Sequence, residues 1–202
     1  MHRNGWAPVL LTAFLVGIVA LIADRTSLAQ ISGQADTLLT VRFTVSKLVN
    51  SGTIWGGLLI LAGWLVRRPL LAPFAAIIAG EVALVVHYGL WDLLRATTPD
   101  IVFSRSDIWV ANWYWFLAPL IFGPPLGLIG ALARRPDRWG LLARLVVPVA
   151  AVVEPFLLGM FSPLAVLPAP DKISSIVCGV LLVTGGVVGA TVTFLRWHRR
   201  KV

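Results

Sequence analysis

Gly80-Glu81-Val82-Ala83-Leu84-Val85-Val86-His87-Tyr88-Gly89-Leu90-Trp91-Asp92 is the stretch that decides what kind of protein this is. It lies within a long apolar run that begins after Arg67-Arg68-Pro69, yet it carries two carboxylates, an imidazole and a phenol. Tyr88 and Asp92 stand seven and eleven positions beyond Glu81. At roughly 100° per residue those three side chains fall within about 20° of one helical stripe, with His87 and Trp91 off it. Ionisable groups inside a membrane span are costly, about 2.5 kcal/mol or more at the helix centre, unless paired or facing water. Such a stripe is therefore a candidate functional site.

The surrounding composition places the run in a membrane. Of 202 residues, 58% are hydrophobic and only 13% charged, which no soluble domain matches. The formal charge of +8 does not indicate nucleic acid, because the basic residues cluster at the ends of apolar segments, where they report topology. The single cysteine, Cys178, has no partner for an internal disulfide. No small-residue cleavage site follows the first apolar run, and Asp24-Arg25 does, so that run reads as a retained helix and not a signal peptide.

Six spans are expected, over residues 6–23, 51–66, 70–94, 108–133, 139–161 and 173–195, in one all-α domain covering 1–202. Residues 24–50 are more polar and suit a partly interfacial helix. Arg67-Arg68-Pro69 and Arg134-Arg135-Pro136-Asp137-Arg138 make turns, while Thr97-Thr98-Pro99-Asp100 and Ser104-Arg105-Ser106-Asp107 mark a loop. Gly123-Pro124-Pro125 reads as an interruption of the fourth span, and Glu154-Pro155 sets a second deep carboxylate beside a helix breaker. With these spans, eleven of the 17 lysines and arginines fall on the side of both termini. The positive-inside rule makes that side cytoplasmic and the protein a multi-pass component of the inner (plasma) membrane.

This topology puts Glu81 near the midplane, Asp92 near the outer interface with Tyr88 between them, and Glu154 slightly outside the midplane. The cluster Trp109, Trp113, Tyr114, Trp115 and Phe116 opens the fourth span on the same outer side. Trp109 and Trp113 share a helix face. The competing structural readings are an aromatic belt for the tryptophans, a satisfied bundle histidine for His87, an Asp92–Arg95 pair at the interface, and interhelical hydrogen bonds for Glu81 and Glu154.

A carboxyl in hydrocarbon with no cation nearby stays protonated near neutrality and is then a general acid. Indole and phenol faces favour cations through their quadrupoles. Together they suit a reaction that starts by protonating an apolar double bond and continues through carbocations. The histidines at 2, 87 and 198 are scattered, and no paired Asp-rich motif is present to hold magnesium on a diphosphate. Nucleophilic triads and phosphate loops are absent too. No metal or cofactor is expected.

Ser46-Lys47-Leu48-Val49-Asn50-Ser51-Gly52-Thr53-Ile54-Trp55, Arg67-Arg68-Pro69, the Glu81 to Asp92 helix, and Phe122-Gly123-Pro124-Pro125-Leu126-Gly127 running to Arg134-Arg135 together resemble small actinobacterial multi-pass membrane proteins. Among them the chain is similar to the bacterial integral-membrane terpene cyclases of the drimentine type. The resemblance covers most of the chain after about residue 40. It implies metal-independent, protonation-initiated (class II type) cyclisation of a farnesyl chain carried on an indole or diketopiperazine. On this reading Glu81 or Asp92 donates the proton, Tyr88 stabilises cations, and Glu154 orients the acid or takes the final proton. Trp55, His87, Trp91, Trp109, Trp113, Trp115 and Phe116 line the substrate. The expected partners are the lipid bilayer and an apolar prenylated small molecule.

Two other functions fit the same residues. A small proton-coupled transporter would use Glu81, His87 and Glu154 as a relay, with the proline-containing helices as a gate. An accessory membrane subunit would use Gly185-x-x-x-Gly189 as a helix-packing face.

Overall fold

Prolines, glycines and charged residues set the helix ends in the computed structural model, which describes residues 5–24, 36–97 and 107–199. All regular structure among them is helical. Helix α1 covers Trp6–Asp24, α2 Asp36–Val49, α3 Gly52–Leu65, α4 Ala72–Thr97, α5 Asp107–Asn112, α6 Leu117–Leu132, α7 Arg138–Leu157 and α8 Ala169–Arg199. Two 3-10 turns, Pro69–Leu71 and Trp113–Phe116, lead into α4 and α6. The Ser32-Gly33-Gln34 segment, most of the polar loop before α5 and the basic tail beyond Arg199 lie outside the described residues.

Five stretches are long and apolar enough to cross a membrane: Trp6–Asp24, Pro69–Leu94, Trp109–Leu132, Arg138–Leu157 and Ala169–Arg199. The interrupted pair α2 and α3 makes a sixth if it crosses as one span. Five of the expected spans fall on these stretches, whereas the expected span 51–66 corresponds to α3, whose 14 residues qualify only together with α2 across a 40° bend. Within the polar 24–50 region, residues 36–49 form α2.

The fourth span departs most from expectation. Helix α6 runs straight through Pro124 and Pro125, and the irregularity lies earlier, in the 3-10 turn Trp113–Phe116. Pro119 supplies a reason. It has no N–H to donate to the Trp115 carbonyl, and its ring crowds that carbonyl, so the Leu117 N–H turns back to Trp115 and Tyr114 instead. Helix α7 likewise continues through Pro155 and stops at Leu157, short of the expected residue 161. Its end is a glycine-dependent cap. Gly159 adopts φ 62°, and Gly159 N–H and Met160 N–H donate to the carbonyls of Phe156 and Pro155 at 3.3 and 2.9 Å.

The chain divides into two compact units, residues 1–22 with 56–134, and residues 23–55 with 135–202. In the first, small residues let backbones approach closely, as membrane helices do when no hydrophobic effect draws them together. A Cβ on Gly63 would collide with Gly127 of α6, and one on Gly130 with the Ile60 carbonyl of α3. Helix α4 presents a stripe of Ala72, Ala75, Ala76, Ala79, Gly80, Ala83, Leu84 and His87, all buried. Gly80 meets Pro119, and Gly127 meets Ala72 and Ala76. Arg134 closes the end of α3, its Nη2 donating to the carbonyls of Gly63 and Val66 at 2.8 and 2.6 Å.

In the second unit, α8 packs against α7 and α2 around Ala151, Cys178 and Leu182, with Leu48 and Met160 alongside. Gly186 and Gly189 meet Pro148 of α7, whereas a Cβ on Gly185 would meet nothing within 4 Å. Of the Gly185-x-x-x-Gly189 pair only Gly189 joins the packing face, and Gly186, outside the motif, takes the closest contact.

Candidate functional site

The candidate acid stands where α4 turns away from its alanine stripe. Glu81 is two positions past Ala79 and two before Ala83, which sets it about 160° around the helix from that buried edge. Tyr88 and Asp92 follow on the same far side. All three are half-buried, and Glu81 Oε1 is buried with no hydrogen-bond partner among the described residues. An unsatisfied carboxyl oxygen is expensive, and each one in a folded protein calls for an explanation.

Two turns further along, about 10 Å at 1.5 Å per residue, Tyr88 meets the start of the fourth span. Its ring centroid lies 6.1 Å from Trp109 and 6.0 Å from Phe116, and those two are 6.1 Å from each other. The three form a triangle of aromatic faces. The His87 imidazole approaches Tyr88 edge-on at 4.8 Å. His87 itself is only 8% exposed and continues the alanine stripe. Asp92 carries a buried carboxylate oxygen. The expected Asp92–Arg95 pair involves a side chain outside those described.

Trp109 and Phe116, seven positions apart, are the two aromatics of this run that reach Tyr88. Trp113 is 61% exposed, and Trp115 packs on Tyr114 at 5.2 Å. Trp91, one turn past His87, is half-buried.

Glu154 and Trp55 belong to the second unit. There the Glu154 carboxylate seats on the first turn of α3. Oε1 accepts from Gly52 N–H at 2.6 Å, and Oε2 accepts from Thr53 N–H at 2.8 Å and the Thr53 hydroxyl at 2.5 Å. The other early donors of α3 are satisfied locally. Ser51 N–H donates to the Leu48 carbonyl at 3.2 Å and Ile54 N–H to the Ser51 hydroxyl at 3.2 Å. These acceptors take the place of the intrahelical partners that the break at Asn50-Ser51 removes. Trp55, half-buried, closes the same turn with its N–H on the Ser51 carbonyl at 3.1 Å.

A second polar cluster escaped sequence reasoning. Lys47 Nζ pairs with the Asp171 carboxylate and donates to the Asp171 carbonyl, Ser174 Oγ and Ser175 Oγ at 2.8, 2.9 and 2.6 Å. Close by in sequence, Ser46 and Asn50 donate to Asp24 at 2.5 and 2.9 Å. Asp171 lies in the first turn of α8, a local signal for an acid there, but nothing local ties it to a lysine 124 residues away.

Among the described residues no three His, Cys, Asp or Glu side chains gather in a metal-holding group. Compared with models of protein families, with curated proteins and with solved structures, the chain matches none.

Proposed function

We propose that this is a membrane-embedded terpene cyclase that starts a metal-independent cyclisation by protonating a prenyl chain, with both termini on the cytoplasmic side of the plasma membrane. The observation that carries this reading is the buried Glu81 carboxyl oxygen, without a hydrogen-bond partner among the described residues, on the same helix face as Tyr88, which stands in an aromatic triangle with Trp109 and Phe116. Glu81 adds its proton to the terminal double bond, forming a C–H bond and a tertiary cation. The next double bond attacks that cation and closes a ring. The Tyr88, Trp109 and Phe116 faces stabilise the moving positive charge, and loss of a proton from carbon, to Asp92, ends the sequence. One proton enters and one leaves, so the product is an isomer of the substrate.

Glu154 takes no part in this scheme, because its three acceptor contacts already hold α3. Membranes containing the protein, incubated with a farnesylated indole, are expected to yield a cyclised isomer. Quantitative recovery of the linear compound would count against the reading. Glu81→Gln is expected to lower turnover by about 10²-fold or more, the usual worth of a general acid.

One observation favours a second reading, a small proton-coupled transporter. Carriers build substrate sites on interrupted helices, and the break between α2 and α3 beside Glu154 is such an interruption. The continuity of α6 and α7 through their prolines removes the gates that reading would use. Proton flux in liposomes that disappears in Glu154→Gln would favour it over the cyclase.

A further inference from the structure

One end of the second unit concentrates positive charge. Helices α7 and α8 run antiparallel, since Gly179 meets Phe161 whereas Gly186 and Gly189 meet Pro148. Ten residues separate Gly189 from Arg199, and ten separate Arg138 from Pro148. At 1.5 Å per residue each segment rises about 15 Å, which brings Arg138 and Arg199 to one level. Arg196 continues the stripe of Leu182, Gly186 and Gly189 toward that same level. All three arginines are exposed.

Among the described residues near the start of α7, Arg144, Arg135 and Asp137 are already engaged. Arg144 donates to the carbonyls of Gly140 and Arg135, both at 2.8 Å. Arg135 pairs with Asp137 at 2.6 Å, and Asp137 also accepts from Gly140 N–H at 3.0 Å. Asp137 therefore does not neutralise Arg138, Arg196 or Arg199. Two indoles sit among them: Trp139 is 59% exposed, and Trp197 stacks on Phe194 at 6.1 Å. Exposed guanidinium groups with no partner among the described residues, beside amphipathic indoles at the end of two apolar helices, match the boundary where headgroup phosphates meet acyl chains.

We infer that this end of the α7–α8 hairpin docks anionic phospholipid headgroups, with Arg138, Arg196 and Arg199 binding the phosphate. Guanidinium suits that role because its planar fork pairs with two phosphate oxygens at once. The inference is independent of the cyclase reading.

Native mass spectrometry of the full-length protein in detergent, with phosphatidylglycerol and phosphatidylcholine of matched acyl chains, tests it. The wild type is expected to retain phosphatidylglycerol preferentially, and retention should fall about fivefold for each of Arg138→Gln, Arg196→Gln and Arg199→Gln. If either of the other two variants fails to insert, Arg199→Gln, at the last residue of α8, carries the comparison. Arg67→Gln, in the first unit, should leave the preference intact. Equal retention of the two lipids by the wild type, or an unchanged preference in the glutamine variants, would overturn the proposal. Inorganic phosphate displacing the lipid more strongly than chloride at equal ionic strength would overturn the assignment to lipid.

Discussion

The Glu154 carboxylate holds the backbone N–H of Gly52, with Oε1 2.6 Å from the amide nitrogen, so an acid in the last turn of α7 serves as the external cap of α3. Glu154→Ala leaves the Gly52 and Thr53 amides without acceptors. The expected loss is about 2–3 kcal/mol, read as a lowered melting temperature in detergent. Glu154→Gln keeps one acceptor oxygen and is expected to lose less. A Glu154→Ala protein as stable as wild type would remove the capping role.

Glycine substitutions on α8 separate packing from sequence motif. Gly186→Ala is expected to destabilise by about 1–3 kcal/mol, because the added methyl meets the Pro148 carbonyl and Val152. Gly185→Ala meets nothing within 4 Å and should be neutral or stabilising by up to about 1 kcal/mol through helix propensity. Equal effects at the two positions, measured by thermal unfolding, would contradict the register of α7 on α8.

Much of the fold was legible because membrane spans are long and their boundaries chemical. Arg67-Arg68-Pro69 and Arg134-Arg135-Pro136-Asp137 mark ends that the structure keeps, and Asp137 proves to be the N-cap of α7. Proline was the misleading signal. Pro124, Pro125 and Pro155 sit inside helices, while Pro119, which drew no attention in the sequence, accompanies the 3-10 turn. The Glu81–Tyr88–Asp92 stripe was legible from periodicity alone. The partners of Glu154 and Lys47 were not, because they lie 101 or more residues away and no local pattern encodes such a contact.

Asp137 gives a pH signature outside the spans. The Gly140 amide, and after it the Arg135 guanidinium, hold its carboxyl below the ordinary value. A depressed folded value means the contribution is complete above the unfolded value, near pH 4, and is lost as pH falls through the lower folded value. The stability gap between wild type and Asp137→Ala should therefore be constant above about pH 5 and shrink toward pH 3. A gap that widens on acidification would contradict this cap.

The aromatic triangle predicts changes in product as well as rate. Tyr88→Leu and Trp109→Leu each remove a cation-stabilising face worth roughly 0.5–2 kcal/mol. Turnover of a farnesylated indole is expected to fall by about tenfold, with a larger share of early-terminated products. Trp113→Leu, at an exposed ring outside the triangle, should leave the product profile unchanged. Chromatography of the three product mixtures distinguishes these outcomes.

The central claim, that a proton delivered by the protein starts the reaction, is tested most directly by running the turnover in deuterium oxide and weighing the product. The account predicts a cyclised isomer carrying one non-exchangeable deuterium on carbon, formed by wild type and nearly absent in a folded, membrane-inserted Glu81→Gln. A cyclised product without deuterium, undiminished turnover in Glu81→Gln, or unreacted substrate with the wild type would contradict it.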